Sequence, residues 1–142
     1  MKALTLWQPW AAVVASGLKR IENRPWEPPP TLYNERFAIH AGKKYDKPSA
    51  ELLAKLTRPS DPAVPDMVHG AVIATARLTG IVMSADAARR IAGRDQERWF
   101  FGPVGWVLDD IVQLERPVEC RGFQKLWNLK PDDEFEVIWG QP

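Results

Sequence analysis

The hydrophobic and polar positions of the first 24 residues change their period twice. Val13, Val14 and Gly17 follow Trp10 at intervals of three, four and seven residues, which buries one face of a short helix. Pro9 suits the first helical position because it has no N–H to leave unpaired, and Gly17 can end a helix in a left-handed conformation. The flanking residues alternate with period two, so the pattern predicts a strand, a helix and a second strand.

The second strand begins with a short charged corner. Ile21 is predicted to point inward, while Glu22 and Arg24 share the opposite face of the strand, close to Lys19 and to the helix start at Gln8. A lysine in a partly dry pocket can lose its proton near neutral pH and act as a base, whereas a nearby carboxylate keeps it charged. The corner is therefore either a polar pocket or a set of ion pairs that holds the helix to the sheet.

The rest of the chain alternates between short periodic segments and polar turns. The elements predicted are a strand at 36–41, a helix at 48–57 begun by Pro48 or Ser49, a strand at 69–83, a helix at 84–92 between Ser84 and Gly93, a strand at 104–114 with a bulge at Asp109-Asp110, a single turn at 125–129 and a closing strand at 135–139. Four to six strands with two or three short helices indicate a small barrel with helical plugs.

The seven tryptophans are candidates for base stacking as well as for the core. Trp10, Trp106 and Trp139 occur among aliphatic neighbours on apolar faces, which predicts core positions. Trp7 and Trp26 flank the charged corner, and each of them suits either the lining of a pocket or packing in the core. The sequence does not decide which aromatic faces are exposed.

Composition narrows the class of protein. At 142 residues, with 45% hydrophobic and 26% charged residues, the chain suits one soluble globular domain covering residues 1–142. No apolar run is long enough to cross a bilayer and the start lacks the features of a signal peptide, so we expect no membrane partner and a cytoplasmic location. One cysteine and two histidines make neither a disulfide nor a credible zinc cluster, and we expect no metal or cofactor.

Five segments together carry a family resemblance. The run Q-P-W-A-x-x-x-x-x-G-x-K-x-x-E-x-R, from Gln8 to Arg24, resembles the signature of the activating signal cointegrator homology (ASCH) domain, and the resemblance continues in order through residues 36–44, 69–76, 117–122 and 125–129. It implies a PUA-like β-barrel related to known RNA-binding modules. Most members are inferred to bind nucleic acid, and one small branch hydrolyses an acetylated cytidine nucleoside.

The hydrolytic branch differs from this chain at an important position. Its segment reads G-x-K-T-x-T-x-R, with the lysine as base and the second threonine as nucleophile. Lys19 and Arg24 match that pattern, but Glu22 stands at the threonine position, and a carboxylate is a poor nucleophile for amides. The branch also uses a glutamate further along, to which Asp95 or Glu97 is the nearest match. Whether the chain is an enzyme therefore stays open.

We predict an α+β fold, a small PUA-like mixed β-barrel with short helices packed at its ends, that binds single-stranded RNA or a nucleotide-like ligand. The turn Gly42-Lys43-Lys44 can offer backbone N–H groups and ammonium ions to phosphate, while a lone histidine such as His40 is more often a hydrogen-bonded packing residue than a catalyst. The predicted pocket residues are Gln8, Lys19, Glu22, Arg24 and His40, with Lys43, Lys44, Arg121 and Lys125 steering phosphates and Trp127 either stacking or packing.

Two other functions are carried as alternatives. One is a hydrolase acting on a modified nucleoside of the acetylcytidine type or on RNA, in which Lys19 is the base and Glu22 activates water. The other is a protein-interaction module, which would need an exposed apolar patch. Oligomeric state is not predicted.

Overall fold

Residues 1–142 are all described by a computed structural model. The elements, in chain order, are β1 (Lys2–Gln8), α1 (Trp10–Ala15), β2 (Ile21–Arg24), β3 (Arg36–Tyr45), α2 (Lys47–Leu56), β4 (Ala71–Val82), α3 (Ala85–Ala92), β5 (Val104–Glu119), β6 (Leu126–Asn128) and α4 (Pro131–Trp139), with 3₁₀ turns at Pro30–Leu32 and Arg94–Trp99. None of the helices combines the length and the apolar character needed to span a bilayer.

The six strands form one mixed sheet in the order β2-β5-β4-β3-β1-β6. β1 and β3 are parallel, and every other neighbouring pair is antiparallel. The α+β class is confirmed, but the sheet does not close into a barrel. The four-residue β2 pairs only with β5 and the three-residue β6 only with β1, so the two edge strands do not meet.

The core lies on both sides of α1. Five consecutive residues of this helix, 11–15, are buried. One face, including Val14, packs with Leu4, Phe37 and Trp106 from the sheet. The other face, at Val13, joins a second cluster with residues from α3 and the 94–99 turn. Because α1 is enclosed by both clusters, the chain leaves it at a fixed position near Gly17. The charged corner that follows is therefore held in a fixed place beside the sheet.

Several local predictions hold at helix ends and at the bulge, whereas the predicted turn Gly42-Lys43-Lys44 is wrong, because these residues continue strand β3. α1 begins directly after Pro9, and Gly17 has a φ of 81°. The Ser84 hydroxyl caps α3 by accepting a hydrogen bond from the Ala87 N–H at 3.0 Å. Asp110 has a φ of 49° where the pairing of β4 and β5 shifts register, so the predicted bulge is confirmed. α2 is capped by the Asp46 carboxylate, with Pro48 in its first turn.

The C-terminal predictions are wrong. Residues 131–139 form helix α4 instead of a closing strand, because Pro131 starts the helix and the acids that follow it favour the helix N-terminus. Trp139 is consequently 72% exposed and is not a core residue. Residues 126–128 form strand β6 beside β1 rather than a turn. Short apolar runs such as 135–139 suit either element, and tertiary packing decides between them.

Candidate nucleic-acid interface

The charged corner after α1 is clamped by Gln96. The side-chain amide of Gln96 donates to the Leu18 carbonyl at 3.0 Å and accepts from the Arg20 N–H at 2.7 Å, so it holds the backbone on both sides of Lys19. Gln96 is fully buried. Sequence reasoning missed this residue, since nothing local marks a glutamine in the 94–99 turn as a partner of residues almost eighty positions earlier.

Lys19 is buried inside this corner, with only 1% of its surface exposed. Its Nζ donates to the Ile21 carbonyl and lies 5.3 Å and 5.8 Å from the ring centroids of Trp10 and Phe101. Burial lowers the pKa of Lys19, and the Glu22 carboxylate, with Oε1 3.6 Å from Nζ, partly opposes that effect. Lys19 therefore supports the corner from behind and does not face solvent.

Glu22 and Arg24 form the outward part of the same ion-pair chain. Arg24 Nε donates to Glu22 Oε2 at 3.0 Å, and Arg24 Nη2 donates to the Thr5 carbonyl at 3.0 Å. Both acid and base are carried by β2, whose pairing with β5 sets their direction. Glu22 is 7% exposed, yet its Oε1 receives no hydrogen bond from the protein. The corner thus presents a partly satisfied carboxylate beside a guanidinium.

These two side chains open into a small pocket, here called the corner pocket. Its volume is about 210 Å³, and it is lined by Thr5, Leu6, Trp7, Trp10, Glu22 and Arg24. The predicted convergence of Glu22 and Arg24 beside the helix start is therefore found, whereas Lys19 contacts Glu22 without lining the pocket.

Gln8 does not contribute to the corner pocket. Its side chain is fully buried, donating to the Val68 carbonyl at 2.8 Å and accepting from the Ala12 N–H at 2.9 Å. Gln8 thus orients the start of α1. Asp95 and Glu97, in the 94–99 turn, do not line the pocket either.

A second cluster is built around His40, which is paired with Thr5 across β1 and β3. His40 Nε2 lies 2.9 Å from the Cys120 carbonyl, which can only accept, so Nε2 carries the proton. Nδ1 then accepts from the Thr5 hydroxyl at 3.1 Å, and Trp127 Nε1 donates to the same hydroxyl at 3.0 Å. Burial lowers the pKa of His40, which favours the neutral ring. His40 is 2% exposed and serves as an anchor for the 120–124 segment.

Above His40 lies a wider groove of about 790 Å³, here called the basic cleft. Its lining residues are Thr5, His40, Gly42, Lys43, Gly70, Cys120, Arg121, Gly122, Phe123 and Gln124. No acidic side chain is among them, while Lys43 and Arg121 supply positive charge from different segments. The Arg121 guanidinium carbon lies 5.3 Å from the centroid of the Phe123 ring. Thr5 lines both the basic cleft and the corner pocket, so the two adjoin across β1.

Some of the other residues predicted to bind a ligand lie beside these two cavities, and others have a different position. Lys44 Nζ lies 3.7 Å from the ring centroid of Trp7, whose side chain is 49% exposed beside the corner pocket. Trp127 is buried and packs edge-on against His40, with ring centroids 5.4 Å apart, so it supports the cleft from below.

Lys125 is exposed and lines neither cavity. Trp26 packs edge-on against Trp106 at 5.0 Å and does not reach the corner pocket.

Several cleft residues were not anticipated. Thr5 stands between Leu4 and Leu6 in a regular strand pattern, and only its parallel pairing with His40 shows its role. Gly122 lies so close to His40 that a Cβ at this position would be 2.5 Å from His40 Cε1. Such a contact between segments about eighty residues apart leaves no local signal in the sequence.

The ASCH domain family matches residues 4–100 of the sequence, more than half of the chain. The chain belongs to the ASCH domain family. No curated protein sequence matches it significantly.

Solved structures of similar fold agree with that assignment. The ASCH domain described here is similar to the crystal structure of ASCH from Zymomonas mobilis, with a TM-score of 0.59 and 20% identity over 99% of this chain and 95% of the other. Two variants of the same Zymomonas mobilis protein, with a tyrosine-to-phenylalanine or a serine-to-alanine change, match with TM-scores of 0.58 and 21% identity, over 99% of this chain and 98% and 96% of theirs. At this identity the likeness concerns the fold. The ASCH family is linked to RNA binding, and membership of this family is consistent with a PUA-like fold.

Proposed function

We propose that this ASCH domain binds single-stranded RNA, or a nucleotide-like ligand of the same chemistry, with one base in the corner pocket and phosphates along the basic cleft. The observation that carries the proposal is that the two cavities adjoin at Thr5, one walled by tryptophans and the other free of acidic side chains. A nucleotide has both an aromatic and an anionic part, and each part meets a suitable surface here.

The charges of the cleft suit a small number of phosphates. Lys43 and Arg121 are exposed and line the cleft, whereas Lys44 lies over Trp7 beside the corner pocket, where it can meet a further phosphate of the same strand. Each phosphate of a single strand that the protein neutralises adds about −0.7 to the slope of log affinity against log salt concentration. Three contacts therefore give a slope of roughly −2, which describes moderate, salt-sensitive binding.

The aromatic side chains favour an unpaired base. Trp7 is half exposed and Trp10 forms another wall of the corner pocket. Stacking on an aromatic side chain contributes about 1–3 kcal/mol per base and requires the base to leave its own stack. A pocket of about 210 Å³ has room for one flat base. These properties support a single strand over a duplex, because bases of a duplex stay stacked and paired.

Hydrolysis with Lys19 as its base receives no such support. The Lys19 ammonium donates to the Ile21 carbonyl and is enclosed by Trp10 and Phe101. Glu22 shares its carboxylate between Lys19 and Arg24, and no base with an open path to the pocket stands beside it. Binding is therefore the function that the contacts favour.

Fluorescence anisotropy with a labelled single-stranded RNA of mixed sequence tests the proposal. The double variant Lys43→Ala, Lys44→Ala should bind about 10- to 30-fold more weakly at 0.1 M salt and show a shallower salt slope, since two of the proposed phosphate contacts are lost. Lys55→Ala with Lys130→Ala removes the same charge from exposed positions outside both cavities and should change little. Affinity that ignores salt and is equal in the two double variants would contradict the proposal.

A further inference from the structure

Helix α4 carries an apolar face that the rest of the fold leaves uncovered. Val137 is its one fully buried residue and packs into the core beside β1 and β5. Phe135, Ile138 and Trp139 form a stripe on the outer side and are 60%, 50% and 72% exposed. The ring centroids of Phe135 and Trp139 are 5.8 Å apart, so the two rings make one continuous surface. A contiguous exposed patch of this kind marks an interaction surface.

Beside this stripe, α4 and the end of β5 enclose a groove of about 440 Å³, here called the acidic groove. Four of its lining residues are acidic and one is basic. The charged residues and the tryptophan of the lining are Glu115, Arg116, Glu119, Asp133, Glu136 and Trp139. None of these four carboxylates forms an ion pair, since α4 makes its ion pair through Glu134 and the N-terminal ammonium. The groove therefore holds negative charge that the chain does not neutralise.

This charge decides which partners suit the surface. Carboxylates repel the phosphates of RNA and of anionic lipids. A second copy that packed through α4 would bring Asp132, Asp133 and Glu136 against the same acids, and like charges across an interface are unfavourable. A cationic partner with apolar residues complements both the stripe and the groove.

The neighbouring edge of β5 favours recognition by a helix over an added strand. β2 pairs with β5 only as far as Val107, so the later part of this edge has no strand beside it. There the Glu115 N–H already donates to the Gly140 carbonyl at 2.7 Å, and Pro117 has no N–H to offer. Proline at an open edge prevents the addition of a strand, so a partner must bind through side chains.

We propose that α4 and the acidic groove dock an amphipathic, lysine- or arginine-rich helix of another protein. Its apolar face covers Phe135 and Trp139, and its basic side chains reach Glu119 and Glu136, in the manner of a helix that lays one face against a groove. This interaction is separate from RNA binding, because residues 115–119 line the acidic groove whereas residues 120–124 line the basic cleft.

A labelled synthetic peptide of sixteen residues serves as the probe in fluorescence anisotropy. It carries leucines at intervals of three and four residues on one helical face and lysines on the others. A scrambled peptide of the same composition keeps the charge and loses the apolar face, and a third peptide has glutamate in place of lysine. We expect saturable binding of the first peptide alone, weakening as the salt concentration rises.

Two variants of the protein test the two parts of the surface. Trp139→Ala should weaken peptide binding about 10-fold or more, as truncation of a central interface tryptophan does. Glu119→Gln with Glu136→Gln should weaken it about 2- to 30-fold, the range for two exposed ion pairs, and flatten the salt dependence. A thermal melt shows that each variant stays folded, as expected for exposed positions.

Matched controls remove the same groups elsewhere. Ile91→Ala deletes an apolar side chain that is 61% exposed on α3, and Glu27→Gln with Glu51→Gln neutralises two exposed acids outside the groove. Both should bind the peptide as the wild type does, and a twelve-nucleotide RNA should not displace it.

Four results would overturn the proposal. One is equal binding of the scrambled peptide, which would reduce the interaction to charge alone. Another is the lack of saturable binding of the first peptide below about 1 mM. A third is a loss of RNA affinity in Trp139→Ala, which would assign the surface to RNA. The last is a dimer in sedimentation equilibrium that Trp139→Ala dissociates, which would assign the surface to a second copy of the chain.

Discussion

Replacing Gly122 with alanine would place a methyl group where His40 and Thr5 already lie. The added Cβ would be 2.5 Å from His40 Cε1, 2.6 Å from His40 Nδ1 and 2.7 Å from Thr5 Oγ1. These atoms cannot move apart easily, because the Thr5 hydroxyl is hydrogen-bonded to His40 and to Trp127. The 120–124 segment must therefore lift from the sheet, by about 1 Å, to restore ordinary contact distances near 3.5–4.0 Å.

The cost can be assembled from these contacts. Overpacking of this kind destabilises by about 1–3 kcal/mol. Lifting the segment also lengthens the hydrogen bond from His40 Nε2 to the Cys120 carbonyl, now 2.9 Å, and a typical hydrogen bond contributes about 1 kcal/mol. For a domain of this length, the combined cost of about 2–4 kcal/mol lowers the melting temperature by roughly 6–13 °C. Arg121 and Phe123 flank the substituted residue, so RNA affinity should fall as well.

Differential scanning calorimetry and RNA anisotropy measure the two effects. Gly80→Ala is the matched control, since a Cβ at Gly80 meets no atom within 4 Å and the same methyl group should leave the melting temperature unchanged or slightly raised. If Gly122→Ala has the melting temperature of the wild type and binds RNA equally well, the 120–124 segment does not rest on His40 and does not form a fixed wall of the basic cleft.

Three further predictions concern titratable side chains. Lys19→Ala should reduce the free energy of unfolding by about 3 kcal/mol in urea titrations, and Lys19→Met should reduce it less, because Lys19 is an enclosed structural group. For the same reason the wild type should release no acetate from acetylcytidine. Burial lowers the pKa of His40 from 6.5, so stability should be full above about pH 6.5 and fall below it as the unfolded chain takes up the proton first, a decline that His40→Gln should remove. The Arg98 hydrogen bonds lower the pKa of Asp61 from 3.8 to about 2, so the stability gap between wild type and Asp61→Asn should be present above pH 3.8 and narrow as the pH falls through about 2.

The sequence by itself determined the elements that depend on neighbouring residues. Pro9 and Gly17 bound α1, Ser84 caps α3, and Asp110 marks the bulge in β5, because caps, turns and positive φ angles are decided within a few residues. The charged corner that follows α1 was also visible, since Glu22 and Arg24 share one face of a two-residue repeat.

Only the tertiary structure decided which charges face solvent. Lys19 and Glu22 are three residues apart in one family motif, yet Lys19 is enclosed by Trp10 and Phe101 while Glu22 opens into the corner pocket. Phe101 reaches the corner from a distant part of the chain. The burial of a long flexible side chain depends on such packing, which periodicity does not report.

The same holds for the basic cleft and for the C-terminus. The cleft requires the parallel pairing of Thr5 with His40 and the approach of the Cys120 carbonyl, which are separated by 35 and 80 residues along the chain. The apolar run at 135–139 was compatible with a strand or a helix, and it became an exposed helical face. Local sequence sets the conformations that a segment can adopt, and contacts between distant segments select among them, because those contacts determine which surfaces are removed from water.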